Sequence, residues 1–209
     1  PAVGSLARWA SRRGNGLGSF GGVVGESWLA HRASEPTAGA RAFVNETTEG
    51  RDRVTIAAPV VIRPIRGREL VAVHRISSTA FEIPYSYETL TNYRHRARGG
   101  LLVAEVAGEI VGFVVATSPL ISLWGGKVGE IAVLAVESGY RGQGIGSRLL
   151  QAGLDTLKAR GMSSARLHVE TGNAGAIALY ERFGFARETR VTAYYRNGKD
   201  AYRMVKPLE

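Results

Sequence analysis

The sequence predicts one α/β domain over residues 59–209, a mixed and mostly antiparallel central sheet flanked by helices. Three observations carry that reading. Short apolar runs of strand character alternate with stretches whose apolar residues recur at three-and-four spacing. Some connections are short and carry glycine, as hairpins do, whereas others enclose a whole helix, as crossovers between parallel strands do. One strand-like run also passes through a glycine-rich turn straight into a helix.

In chain order, Val60-Val61-Ile62 followed by Arg63-Pro64-Ile65 reads as the opening strand. Between Gly67 and Phe81, residues Leu70, Val71, Val73, His74, Ile76 and Ala80 give a helix with one buried face. Pro84 disfavours helix at Ile83, so a bend separates it from a second helix running from Ser86 to Arg98. Leu101–Val106 and Glu109–Ala116 are strands joined at Ala107-Gly108, and Val128–Val136 is another. Beyond Gly146, Leu149, Leu150, Leu154 and Leu157 stripe a helix that stops near Gly161, and Ala165–Val169 returns to strand. Asn173 is placed to cap a helix that Gly184 ends. Last, Val191–Arg196 and Lys199–Val205 flank Asn197-Gly198, a strong hairpin signal.

Residues 1–58 have a different texture, with glycines scattered from Gly14 to Gly25, a Ser/Ala/Arg-rich start and no sustained apolar period. They read as a flexible or adventitious N-terminal extension. Arg8, Arg12 and Arg13 precede the first acidic residue, Glu26, a superficial likeness to an organelle transit peptide. Trp9, Phe20, Val23, Val24, Trp28 and Leu29 leave docking on the domain or on a partner as a third option.

Composition narrows the function. With 44% hydrophobic and 22% charged residues, the chain is neither wholly disordered nor fibrous. It contains no cysteine, which removes disulfides, thiolate metal sites and cysteine nucleophiles. No metal is expected. A formal charge of +9 favours RNA, membrane surfaces or phosphorylated small molecules, without choosing among them. No apolar run approaches the roughly 18 to 20 residues of a spanning helix, and the expected location is cytoplasmic.

The most informative segment runs from Val133 to Gly146, where a strand leads through glycines into a helix. Unpaired N–H groups and the positive helix end converge there, Gly142, Gly144 and Gly146 allow close backbone approach, and Arg141 adds charge, so it should bind phosphate. A nucleoside-triphosphate loop would need Gly-Lys-Ser/Thr, and the chain has Gly146-Ser147-Arg148. A dinucleotide fingerprint fails too, since its third glycine comes one place early and Arg166 stands where an acid is required.

What matches is Arg-x-x-Gly-x-Gly, formed by Arg141, Gly144 and Gly146, which resembles the pyrophosphate motif of the GNAT superfamily of N-acetyltransferases. Leu167 to Phe185, with Leu167-His168-Val169, Asn173, Tyr180 and the closing Gly184-Phe185, is similar to that family's strand and Asn-capped helix. The resemblance covers nearly all of 59–209 and none of 1–58. It implies the GNAT fold and acetyl-CoA as cofactor, held at Leu134, Val136, Arg141, Gly142, Gln143, Gly144, Ile145, Gly146, Ser147, Asn173 and Tyr180. Within the family the likeness is to RimI-type protein N-terminal acetyltransferases. Ile83, Pro84, Tyr85 and Tyr87 resemble one wall of their peptide slot, and Tyr194-Tyr195 the other.

Acetyl transfer needs a neutral amine. An α-amino group, with a reference pKa of about 7.7 to 8.0 against about 10.4 for lysine, is the easier one to deprotonate. Glu130 and His168 stand at positions where the family places acid-base residues, and their residue types leave open which is the base. A strand-end charge and a core imidazole are the plain alternatives. Tyr180 is the expected donor to the departing thiolate, or else only an aromatic packing a helix face. Asn173 would cap its helix in any case, and the resemblance adds a contact to the pantetheine arm. The resemblance also gives the Leu134 N–H the oxyanion, at a strand bulge that the sequence itself does not reveal. Arg94-His95-Arg96-Ala97-Arg98 reads either as a solvated helix end or as a site for ribosomal RNA or the adenosine phosphates.

The resulting expectation is direct acetyl transfer from acetyl-CoA to protein or peptide N-termini, nascent or ribosomal chains included, with no membrane and no specific nucleic acid as partner. A lysine or small-molecule amine acetyltransferase is the rival in the same class. A coenzyme-A-binding regulatory module without turnover is the rival from another.

Overall fold

The computed structural model describes residues 58–118 and 127–209, and the expectations for 1–57 lie outside them. The described residues run β1 (Val60–Pro64), a 3-10 turn (Gly67–Glu69), α1 (Leu70–Ala80), α2 (Tyr87–Arg96), β2 (Leu101–Val106), β3 (Glu109–Thr117) and β4 (Val128–Val136). A 3-10 turn (Ser138–Tyr140), α3 (Ile145–Ala159), β5 (Ser164–Glu170), α4 (Ala174–Arg182), β6 (Ala186–Val191) and β7 (Ala201–Pro207) follow. The strands form one sheet in the order β1-β2-β3-β4-β5-β7-β6, antiparallel at every step except β4 with β5.

Apolar pattern decides the layers. β3 reads Ile-Val-Gly-Phe-Val-Val-Ala without a polar interruption and is buried from Ile110 to Ala116, as a central strand covered on both faces must be. Leu149, Leu150, Leu154 and Leu157 of α3 pack on one face with Val114, Ile131 and Leu167. Leu70, Val73 and Ile76 of α1 and Leu90 of α2 pack on the other with Val103, Phe113 and Val133.

Helix ends follow local chemistry. The Ser86 side chain accepts the Thr89 N–H at 3.2 Å and starts α2, and Asn173 Oδ1 accepts the Ala176 N–H at 3.1 Å and starts α4. α1 stops at Ala80, three residues before the Ile83-Pro84 pair that was expected to break it.

The last hairpin differs from expectation. β6 begins at Ala186 and ends at Val191, and β7 begins only at Ala201, so residues 192–200 form a loop rather than strand. Asn197-Gly198 does turn the chain, with the Gly198 N–H donating to the Tyr195 carbonyl at 2.9 Å. The sequence hid β6 because its Ala-Arg-Glu-Thr-Arg-Val has no apolar alternation: it is an edge strand exposed along almost its whole length.

Two close fits fix the layers. A Cβ on Gly129 would stand 2.6 to 3.0 Å from three carbons of Leu157, which is itself fully buried, so α3 lies against β4 only because this residue is glycine. Arg63 on β1 ties the first turn to β2, donating to both Glu69 oxygens at 2.9 and 2.6 Å and through Nε to Glu105 at 2.7 Å. The Arg63 hydrogen bond holds the Glu69 carboxyl down at about 2.

Gly129→Ala should therefore lower unfolding free energy by about 1 to 3 kcal/mol, the usual cost of overpacking, in urea titrations. Glu69 binds its proton less tightly folded than unfolded. Its contribution is thus complete above its ordinary value of 4.5 and is lost as pH falls toward 2. Glu69→Gln should lower stability at pH 7 and flatten the loss of stability across that acid range.

Candidate active site

β4 and β5 pair through Val128 with Ser164, Gly129 with Ala165 and Glu130 with Arg166, and the ladder ends there. β4 stays paired to β3 as far as Val136, and β5 to β7 as far as Glu170. The two strands therefore part beyond Glu130, and a cleft opens between them.

The register of β4 against β3 slips by one residue between Ile131 and Val133, which makes Ala132 a bulge. Beyond it, the Glu137 N–H donates to the Val111 carbonyl at 2.9 Å. Since N–H groups alternate sides along an antiparallel strand, those of Ala135 and Val133 face β3 and those of Leu134 and Val136 face the cleft. The Val136 carbonyl faces the same way and accepts Arg141 Nε at 2.9 Å.

At the wide end stands the glycine turn. Gly142 and Gly144 have φ of 77° and 78°, left-handed values that glycine adopts at no steric cost. Gly144 begins α3 without a capping side chain, and the Arg148 N–H to the Gly144 carbonyl, 3.1 Å, is the first helical bond. The N–H groups of Ile145, Gly146 and Ser147 thus have no intrahelical partner and lie at the positive end of a 15-residue helix. The Ile145 side chain is buried core, so that residue offers only its backbone. Gln143 folds back on the Gly139 carbonyl at 3.4 Å. A Cβ on Gly146 would come 3.8 Å from Leu179, an ordinary van der Waals contact, so packing against α4 does not by itself demand glycine there. Every group brought together here is a donor or a cation, the chemistry that suits a diphosphate.

At the narrow end, His168 projects from the face of β5 opposite Leu167 and Val169. Its Nδ1 is buried without a hydrogen-bond partner, 3.7 Å from Glu130 Oε1. That gap is too long for a direct hydrogen bond, leaving a buried imidazole nitrogen and a carboxylate facing each other. The His168 ring stacks on Tyr194 with centroids 4.4 Å apart, and Tyr194 meets Tyr195 edge-on at 5.0 Å. Across from them Tyr85 is set edge-on against Phe81 at 5.4 Å and Tyr93 at 5.9 Å, its N–H held by buried Ser77 Oγ at 3.0 Å. Ile83 and Pro84 are exposed on the same loop. Tyr87 is not part of this group: half exposed, its ring packs on His74. Tyr180 lies buried on α4 against Phe185.

The phenols share one environment. Burial, then the charges of Tyr194 and Glu130, pushes Tyr85 up to about 12. Burial, then Tyr85, pushes Tyr180 up to about 12. Tyr93 and Tyr195 are raised as well, again chiefly by burial. All four keep their protons at neutral pH.

Comparison with known proteins fits this geometry. Residues 70–185, more than half of the chain, match the Acetyltransferase (GNAT) family. The chain belongs to the GNAT family. An N-alpha-acetyltransferase of Sulfurisphaera tokodaii is 32% identical over 158 residues, 70% of this chain and 92% of the relative. N-alpha-acetyltransferase 30 of Schizosaccharomyces pombe is 48% identical over 77 residues, 37% of this chain. The GNAT chain spans about half the length of that yeast relative, 51%. Among solved structures, a chain of the NatC complex bound to Gag peptide and CoA is 26% identical with a TM-score of 0.67, covering 72% of this chain and 99% of that one. The GNAT fold is thereby shown for this α/β sheet.

Sequence reasoning missed several residues at the narrow end. Tyr93 sits on α2 three residues after buried Leu90, a helical spacing that marks an inward face. Lys199 Nζ reaches Glu82 at 2.7 Å and Glu170 at 3.2 Å, and Asn197 Nδ2 reaches Glu82 at 3.1 Å, so the two loops are tied together at the rim. Glu82 and Lys199 are 117 residues apart in sequence, and no local pattern signals such a pair. Tyrosine Cζ NMR titration should show Tyr85 and Tyr180 still protonated at pH 11, whereas an apparent value near 10 for either would contradict the burial described.

Proposed function

We propose that this chain transfers acetyl directly from acetyl-CoA to the α-amino group of protein and peptide N-termini. The cleft between β4 and β5 carries the proposal, because it puts an anion-binding turn at one end and an acid-base pair between aromatic walls at the other. Along β4, Glu130 and Val136 are six residues apart, about 20 Å at strand rise, which suits a long thioester-bearing ligand laid lengthwise.

In this reading the N–H groups of Gly142 to Ser147 and Arg141 hold the diphosphate, and Asn173 adds a contact while it caps α4. Acetyl-CoA supplies an activated acyl group on a thiol leaving group. Tyr85, Tyr194 and Tyr195, with Ile83 and Pro84, grip the incoming terminus. Glu130, His168, or the two together remove the ammonium proton, and the Leu134 N–H faces the position of the developing oxyanion. Tyr180 keeps its proton and steadies the departing sulfur by hydrogen bonding. With its phenol near 12 and a reference thiol near about 8.5, donation of a hydrogen bond is favoured over complete transfer. A RimI-like subtype with ribosomal or nascent chains among its substrates, and the cytoplasm as the place of action, belong to the same proposal. The aromatic walls support the first, and among the described residues no helix is long and apolar enough to cross a membrane.

Acetyl-CoA and a library of peptides with free and blocked α-amines test this. Transfer should vanish on blocking the terminus, and transfer that persists on an internal lysine or a small amine would replace the reading. Tyr180→Phe should lower kcat about 10- to 100-fold, the worth of one hydrogen bond to a charged group, with little change in KM for acetyl-CoA. Glu130→Gln combined with His168→Ala should cost about 100-fold or more, with each single variant revealing its share through the pH profile.

A further inference from the structure

A group of basic side chains lies away from the cleft. Arg66 and Arg68 flank Gly67 in the turn between β1 and α1, and Arg94, His95, Arg96 and Arg98 end α2. All six are exposed. The two segments touch, since a Cβ on Gly67 would stand 3.5 Å from the Arg94 guanidinium, and the Ile65 N–H bonds the Leu101 carbonyl at 3.1 Å. Arg160, at the end of α3, braces them from beneath, donating through Nη2 to the carbonyls of Ala97 at 2.5 Å and Arg98 at 2.9 Å.

Among the described residues, none of Arg66, Arg68, Arg94, Arg96 and Arg98 forms an ion pair. The carboxylate within that turn, Glu69, is occupied by Arg63 and by the Arg66 N–H. Around β6 and β7, by contrast, Arg187, Arg190, Lys199 and Arg203 each hold a carboxylate. The helix dipole at the end of α2 offsets about half a charge, far less than this rim carries. Arg98 also adopts a φ of 44°, where an arginine costs more than a glycine would.

The coenzyme does not account for the rim. The glycine turn opens α3 and Arg160 closes it, so the two cationic sites are separated by the length of a 15-residue helix, about 22 Å. We propose that the rim formed by Arg66, Arg68, Arg94, Arg96 and Arg98 binds the phosphate backbone of RNA without regard to sequence. The side chains on the rim are charged, and the one small apolar residue among them, Ala97, is buried. A protein interface would need an apolar anchor at its centre. Guanidinium groups without lysine suit bidentate contact with phosphate. RNA is preferred to other polyanions because nascent termini are presented on an RNA-rich particle, and that preference alone rests on the proposed function.

The test is fluorescence anisotropy of the full chain with a labelled RNA hairpin, between 50 and 200 mM KCl. Wild type should bind with log K falling against log salt at a slope of about −4 to −5, the value for five neutralised phosphates. Combining Arg68→Ala, Arg94→Ala and Arg98→Ala should weaken binding at least tenfold at 50 mM salt and shrink that slope by about 3. The triple lysine variant should keep most of the slope. In the same preparations kcat/KM on a free tetrapeptide should not change, which separates failure of this proposal from failure of the catalytic one. No RNA binding at 50 mM salt, an unchanged slope in the alanine variant, or tighter binding to polyglutamate or anionic vesicles would overturn it.

Discussion

β4 and β5 share three residue pairs and then separate, and the chemistry of the molecule depends on that separation. A strand inside a sheet ordinarily spends its N–H and C=O groups on both neighbours. Past Glu130, β4 pairs only with β3, so the N–H groups of Leu134 and Val136 on the other side are not taken by a strand. The bulge at Ala132 sets which residues face that way. One irregularity in register therefore selects which backbone groups face the cleft.

The cleft is held open from both sides. α3 lies close on one face because Gly129 leaves room for Leu157. On the other face α1 and α2 rest on Phe113 and Val133 and carry Tyr85 and Tyr93 toward Glu130. Burial then gives those phenols their character, since a ring removed from water resists acquiring charge.

Much of this was legible in the sequence where local rules act alone. The glycine turn, the α3 stripe of leucines, the Asn173 cap and the Pro84 bend are each settled within a few residues, and they stand where expected. The bulge was not, because it is a relation between β4 and β3 and leaves no mark on either run. β6 was missed because charge replaced its apolar alternation. The bridge from Glu82 to Lys199 was invisible because two ordinary surface residues meet only once the chain has folded. The resemblance of the loop from Phe81 to Tyr87 places Tyr87 in a slot wall, and the edge-on contact of its ring with His74 is a relation the sequence does not show.

The sheet closes at one margin with β6, whose arginines and glutamate point into water, and at the other with β1, which carries Pro64 and a charged Arg63. Among the described residues the β6 margin is the charged one, which blunts it against the addition of another strand. At that margin a second copy of the chain meets guanidinium and carboxylate groups before it meets backbone, so the ladder does not readily extend there.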